Sequence, residues 1–300
     1  MCGIVAYIGK RNAREVLIKG LKRLEYRGYD SAGIATFDQD QTIDIRKIAG
    51  KVADLEQHIG KHLQSTIGIG HTRWATHGEP NDINAHPHFS SDHRHVIIHN
   101  GIIENYSALK KELEIRGYSF KSDTDTEVFI TFIEDIKKTE QVSLEDAVKI
   151  ALTKVIGAYA IVILSMDEPE KLIAARKGSP MVIGLGKNEY FIASDATPIV
   201  EYTNEVVYLN DEEIAVLSRE GLTIKDSQDE VKSPYITELD LELEAIEKGG
   251  YDHFMLKEIF EQPNSIRDCM RGRLDAKNGR LTLGGIRNYA TALTNAKKIV

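Results

Sequence analysis

The chain has 300 residues, of which 42% are hydrophobic and 28% charged, and its formal net charge is −8. That balance excludes a disordered polar chain and, lacking any basic excess, a nucleic-acid partner. Its two cysteines, Cys2 and Cys269, exclude a disulfide framework and fit a reducing cytoplasm, and no apolar run reaches membrane-spanning length.

Taken in order, residues 4–8 form a continuous apolar run that predicts a buried strand. Asn12 is a suitable cap for a helix whose Val16, Leu17, Leu21 and Leu24 recur at helical spacing. The polar stretch Leu24-Glu25-Tyr26-Arg27-Gly28-Tyr29-Asp30-Ser31-Ala32-Gly33 breaks that pattern and leads into a strand at 34–37. A strand at 43–48, a helix at 52–63 and a strand at 66–71 follow, and then about twenty residues with little periodicity, 73–92, which hold the only tryptophan. Residues 95–99 predict a strand that ends on the turn dipeptide Asn100-Gly101, and helices are expected at 106–116, 126–138 and 144–155. Seven short strands fill 159–225, so the fold class expected is α+β with mainly antiparallel sheets. From about Tyr235 the composition predicts a helical connector without strands, with an acidic helix at 238–247 and a longer one at 253–273. The last residues, Lys297-Lys298-Ile299-Val300, read as a strand start with nothing after it, which predicts a further domain cut away.

Several groups could carry chemistry. Removal of Met1 would leave Cys2 with a thiol and an α-amine on one carbon, and an amine of pKa roughly 7.7–8.0 can take the thiol proton. Taken alone, Cys2 is equally a small apolar residue entering a strand. Asn100 and Gly101 offer a side-chain amide and a backbone N–H suited to an oxyanion, or simply a turn. Arg73 can fork onto a carboxylate. Asp125, within Ser122-Asp123-Thr124-Asp125-Thr126-Glu127, can take an ammonium or serve as a helix cap. His86, His88, His93, His95 and His99 cluster without any zinc-ligand spacing, and neither a nucleotide-binding glycine loop nor another cofactor motif is present.

MCGIVAYIG, LEYRGYDSAG, HTRWATHG, HNGIIEN and SDTDTEV, in this order, resemble the motif series of the class II glutamine amidotransferases. Tyr251-Asp252-His253-Phe254-Met255, Lys257-Glu258-Ile259 and Glu261-Gln262-Pro263 resemble the connector of the branch that aminates fructose 6-phosphate. The resemblance covers essentially the whole chain. It implies an N-terminal-nucleophile hydrolase fold, an αββα sandwich of two mainly antiparallel sheets between helical layers. It implies hydrolysis of L-glutamine to glutamate and ammonia through a glutamyl thioester on Cys2, with no cofactor and no metal. Asn100 and Gly101 would form the oxyanion hole, Arg73 would hold the glutamine carboxylate and Asp125 its α-amino group. Thr76 and His77 would line the substrate site, Arg27 would order the surroundings of Cys2, and Trp74 would gate ammonia passage. Residues 1–240 would be the glutaminase domain and 241–300 the connector and the start of a sugar-isomerase domain, with the fructose 6-phosphate site further on and a homodimer at full length. The glutaminase part of an amidophosphoribosyltransferase or asparagine synthetase, and a glutamine-binding module without turnover, are the alternatives.

Overall fold

A computed structural model describes residues 2–38, 40–59, 65–75, 78–239, 251–270, 274–275, 279–281 and 290–297. The chain divides into two units, Met1–Leu241 and Glu242–Val300. In the first, β1 (Gly3–Ile8) is the central strand. Its side chains alternate as a two-residue period requires: Ile4, Ala6 and Ile8 point to one buried face, and Val5 and Tyr7 to the other. Around it are β2 (Ser31–Phe37), β3 (Ile43–Ala49), β4 (Ile67–Arg73), β9 (Val182–Gly186), β10 (Glu189–Ala193), β11 (Glu205–Tyr208) and β15 (Ile236–Glu238). They make an eight-stranded antiparallel sheet in the order β15-β11-β9-β10-β1-β4-β2-β3.

The second sheet has seven strands, β5 (His88–Phe89), β6 (His95–Ile103), β7 (Gly157–Ser165), β8 (Lys171–Lys177), β12 (Ile214–Ser218), β13 (Leu222–Lys225) and β14 (Val231–Lys232). Its order is β14-β13-β12-β8-β7-β6-β5, again antiparallel, and β6 pairs with β7 from His95↔Ser165 to Ile103↔Gly157. The sheets share one core: Ile4, Ala6, Ile8, Ile67 and Ile69 pack with Val96, Ile98, Ala160, Val162 and Leu164.

The outer faces are covered by helices, because an alternating apolar strand buried on both sides needs a second partner layer. On the first sheet α1 (Ala13–Leu24) sets Leu17, Ile18, Leu21 and Leu24 against Val5, Ala32 and Ile34, joined by Leu55 and Ile59 of α2 (Val52–Ile59). Asn12 caps α1 as expected, its Oδ1 accepting from Arg14 N at 3.1 Å. On the second sheet α3 (Tyr106–Ile115), α4 (Asp125–Glu140) and α5 (Leu144–Lys154) bury Leu113, Phe129, Ile133 and Val148 against Ile97, Ile161 and Ile163. The fold is therefore the expected αββα sandwich.

Two expectations fail. Asn100-Gly101 is not a turn that ends the strand: β6 runs through both residues to Ile103, pairing them with Ala160 and Tyr159 of β7, because the ladder continues past the dipeptide. Ile236–Glu238 is a strand, β15, not the lead into an acidic helix: Val207↔Ile236 and Glu205↔Glu238 pair along the edge of β11. Glutamates favour helix intrinsically, but the unpaired backbone groups of that edge outweigh the preference. Residues 240–250, where the rest of that helix was expected, lie outside the described residues, as do 60–64 at the end of the predicted 52–63 helix. In the second unit α6 (Phe254–Met270) falls within the predicted 253–273 helix. No helix among the described residues is long and apolar enough to cross a membrane.

Ile98 lies between the sheets with no exposed surface. Ile98→Ala should lower stability by about 2–5 kcal/mol in urea unfolding, the usual cost of a large-to-small change in a packed core; a shift of only a few tenths would contradict the two-sheet core.

Candidate active site

The antiparallel ladder between β1 and β4 runs from Ile8↔Ile67 to Gly3↔Thr72. Cys2 is one residue beyond the last pair, against the segment that leaves β4: Trp74 N donates to Cys2 Sγ at 3.2 Å, and the thiol faces Trp74 O at 3.6 Å. Burial pushes the thiol above its ordinary pKa, and the Trp74 bond and the Arg73 charge oppose that rise only in part. The sulfur is thus a neutral thiol near pH 7 and needs a base to become a nucleophile.

The neighbouring loop is held by backbone contacts. A side chain at Gly28 would come within 2.7 Å of the Arg73 carbonyl carbon, so glycine permits the close approach of these two segments. Asp30 N donates to Arg73 O at 3.2 Å, and the Asp30 carboxylate accepts from Ala75 N. Arg27 is buried and donates to Ser194 O at 3.2 Å, while Ser194 Oγ accepts from Ile4 N at 3.1 Å. Arg27 therefore braces the strand that carries Cys2.

The second sheet supplies the other wall. β5 pairs with β6 only at His88↔Ile97 and Phe89↔Val96, so beyond it β6 runs on as an open edge. Buried backbone groups on such an edge need partners. The His99 N–H donates to His86 Nδ1 at 3.3 Å, the His99 carbonyl accepts from His71 Nε2 at 3.1 Å, and Ile103 N donates to Asp125 Oδ2 at 2.8 Å. Gly101 lies between His99 and Ile103 on the same edge by the two-residue alternation. Its φ is +131°, and a side chain there would meet Ala158 O at 2.0 Å, so only glycine fits. Asn100 Nδ2 donates to Cys2 O at 3.0 Å, and its Oδ1 accepts from His71 Nε2 at 3.0 Å.

Asp125 opens α4, but the cap is its neighbour: Thr124 Oγ1 accepts from Glu127 N at 3.3 Å. Glu127 in turn accepts from Lys121 N and Ser122 N. The capping role open in the sequence falls to Thr124 and Glu127, and Asp125 is left facing the cavity. Arg73 is buried, and its guanidinium donates to the carbonyls of Gly78 at 3.1 Å and Glu79 at 3.3 Å. Cys2, Arg73, Trp74, Gly101 and Asp125, with His86 and His99, line one cavity of about 20 Å³, room for a single water. Trp74 stands at its rim, 48% exposed and edge-on to Tyr29 at 5.6 Å. Thr76 and His77 lie outside the described residues.

The clustered histidines are framework groups. His71 and His86 stack at 4.3 Å, His88 Nε2 meets Thr124 Oγ1 at 3.2 Å, His95 Nδ1 meets Ser165 Oγ at 2.8 Å, and His99 Nδ1 meets Thr126 Oγ1 at 3.0 Å. Burial drives His71 down to about 3 and His86 and His88 well below the ordinary histidine value. His71 and Asp30 escaped the sequence reading. Both stood in motifs already noticed, Asp30 in LEYRGYDSAG and His71 at the head of HTRWATHG, but nothing local singled either out. Behind the wall made by residues 82–88 and 122–127 lies a wider groove of about 700 Å³, lined among others by Lys47, Phe89, His88, Lys121 and Glu127. Lys47, pushed down to about 8 by burial, donates to the carbonyls of Ile83, Ala85 and Pro87 at 3.0, 2.7 and 3.2 Å and so pins that wall.

The glutamine amidotransferase domain family matches residues 45–235 of this chain. A protein of Bacteroides thetaiotaomicron named glutamine–fructose-6-phosphate aminotransferase [isomerizing] is 55% identical over 302 residues, covering 100% of this chain and 49% of its own length. One of Chlorobaculum tepidum with the same name is 54% identical, covering 100% and 49%. This chain thus spans about half the length of the curated relatives it matches. Among solved structures, the glutamine phosphoribosylpyrophosphate amidotransferase of B. subtilis complexed with ADP and GMP superposes with a TM-score of 0.66 at 26% identity, covering 77% of this chain and 50% of that one. A structure described as the allosteric regulatory enzyme of purine biosynthesis gives 0.65 at 28% identity, covering 75% and 49%.

The buried histidines set a pH dependence of stability. Their folded pKa values lie below the unfolded value, so their neutral forms cost nothing above about pH 6.5, and each proton taken up only by the unfolded chain costs about 1.4 kcal/mol per pH unit below it. The thermal midpoint should therefore fall steeply from pH 7 to pH 5, and a flat profile across that window would contradict burial of His71, His86 and His88 as neutral rings.

Proposed function

Because this chain belongs to the glutamine amidotransferase family, we propose that it hydrolyses L-glutamine to glutamate and ammonia, with Cys2 as nucleophile. The observation that carries the reading is that Cys2, Arg73, Gly101 and Asp125, from four separate segments, line a single cavity. An amino acid offers a carboxylate and an ammonium, and this cavity has a guanidinium and a carboxylate among its walls. Arg73 would take the first and Asp125 the second. Thr76 and His77 are proposed to complete the lining. The cavity admits one water as it stands, so glutamine binds only as the lining groups separate.

With Met1 removed, the α-amine of Cys2 takes the thiol proton and Sγ attacks the side-chain amide carbon of glutamine. The negative oxygen that forms would lie between an Asn100 Nδ2–H and the Gly101 N–H. Collapse breaks the carbon–nitrogen bond, the ammonium returns its proton to the leaving nitrogen, and ammonia departs to leave a glutamyl thioester. Water, deprotonated by the same amine, then releases glutamate and restores the thiol. The raised thiol pKa makes such a base necessary, since few thiolates exist at neutral pH without one.

In the longer protein we propose fructose 6-phosphate as the ammonia acceptor, in a cytoplasmic enzyme that is a homodimer at full length. The relatives that match the whole of this chain at 54–55% identity bear that substrate in their names, whereas the phosphoribosylpyrophosphate enzyme is 26% identical. Trp74, at the rim, would gate the passage of ammonia, and residues 241–300 would connect to the acceptor half.

Cys2→Ala should abolish glutamate release and leave circular dichroism unchanged; retained turnover, or glutamine binding that never led to hydrolysis in the wild-type chain, would refute the assignment. Intact mass with a glutaminase assay tests the base: protein retaining Met1 should be nearly inactive, since an amide nitrogen accepts no proton. Arg73→Lys should raise the KM for glutamine about tenfold to a hundredfold, with a smaller effect on kcat, as loss of a bidentate carboxylate contact does.

A further inference from the structure

We propose that His71 is a positioning residue that fixes the orientation of the Asn100 side-chain amide and so keeps its N–H groups on the Cys2 side, a role that rests on Asn100 being an oxyanion donor. The argument starts from an atom with no choice. The His99 carbonyl oxygen can only accept, and it lies 3.1 Å from His71 Nε2. Nε2 therefore carries the proton. The same N–H faces the Asn100 side chain at 3.0 Å, and a second donor there would clash, so the oxygen end of the amide must turn towards His71. The nitrogen end is then left to face Cys2, whose carbonyl it bonds at 3.0 Å. That carbonyl uses one of the two N–H groups on Nδ2, which leaves the other for a developing negative oxygen.

The remaining nitrogen of His71 agrees with this assignment. Nδ1 is buried and has no hydrogen-bond partner among the described residues, and the ring stacks on His86 at 4.3 Å and 16°. A bare lone pair tolerates such a place better than an N–H would, which favours the neutral Nε2–H form. His86 completes the clamp by accepting the His99 N–H, so that the two stacked rings hold one residue of the open β6 edge from both its polar groups. The order of control runs from the His99 carbonyl, to the tautomer of His71, to the rotation of the Asn100 amide.

In the wild-type chain, ¹⁵N NMR at neutral pH should show His71 as the Nε2–H tautomer; an Nδ1–H tautomer or an imidazolium would overturn the assignment without any variant. His71→Phe keeps a ring against His86 and removes the donor. It should lower kcat for glutamine hydrolysis about a hundredfold and leave KM within about threefold, as loss of an oxyanion donor does. Alkylation of Cys2 by iodoacetamide should keep its wild-type rate, because that displacement forms no oxyanion. In an Asn100→Ala background the same change should cost less than about threefold more, since both act through one amide. Full additivity there, or a slower alkylation that matches the loss of hydrolysis, would reduce His71 to packing and overturn the proposal. His71→Gln, which presents an amide N–H, should recover about tenfold of the lost kcat. Should circular dichroism find His71→Phe unfolded, the tautomer decides. A wild-type chain with the stated tautomer that releases no glutamate would keep the orientation relay and sink the glutaminase reading instead.

Discussion

The register of β1 against β4 is the constraint on which the site depends. Gly3 pairs with Thr72 and the ladder stops there, so Cys2 projects past the last rung onto the backbone of Trp74. A slip of one residue would turn every side chain of β1 to the opposite face, sending Ile4, Ala6 and Ile8 out of the shared core. The hydrophobic pattern of a central strand thus fixes the height of the Cys2 sulfur above the sheet, and packing of several apolar side chains resists any drift. Arg27, two bonds removed through Ser194, braces the same strand end from the side of β10.

Facing it, the second sheet contributes an edge left incomplete. Because β5 is only two residues long, β6 extends beyond it with backbone groups that no strand covers. Imidazoles and a carboxylate take the place of the missing strand, each bonding one group. These histidines stay neutral because they are buried, and their neutrality makes them useful here, since each ring then offers one fixed donor and one fixed acceptor. The buried imidazoles therefore act as oriented dipoles beside the Arg73 guanidinium and the Asp125 carboxylate.

Much of this could be read in the sequence, because the groups proposed to contact substrate come in compact motifs: Cys2 before β1, Arg73 as the last residue of β4, Asn100-Gly101 within β6 and Asp125 at the start of α4. The capping ambiguity of that last segment needed coordinates, since Thr124, Asp125 and Glu127 are each competent and only geometry divides the work among them. His71 was illegible for a different reason. It heads the HTRWATHG motif, but its proposed role comes from a carbonyl 28 positions away, which no local pattern reports. Glu238 misled because intrinsic helix preference is local and the edge it pairs with is not.

The partition between the small hollow beside Cys2 and the groove behind it is one chain segment deep on each flank, with His86 turned to one room and His88 to the other, and Asp125 and Glu127 divided in the same way. The two segments that wall the hollow thus also wall the groove. Residues that never approach the sulfur, Lys47 foremost through its grip on three carbonyls, are in this sense joint owners of the space in which it works.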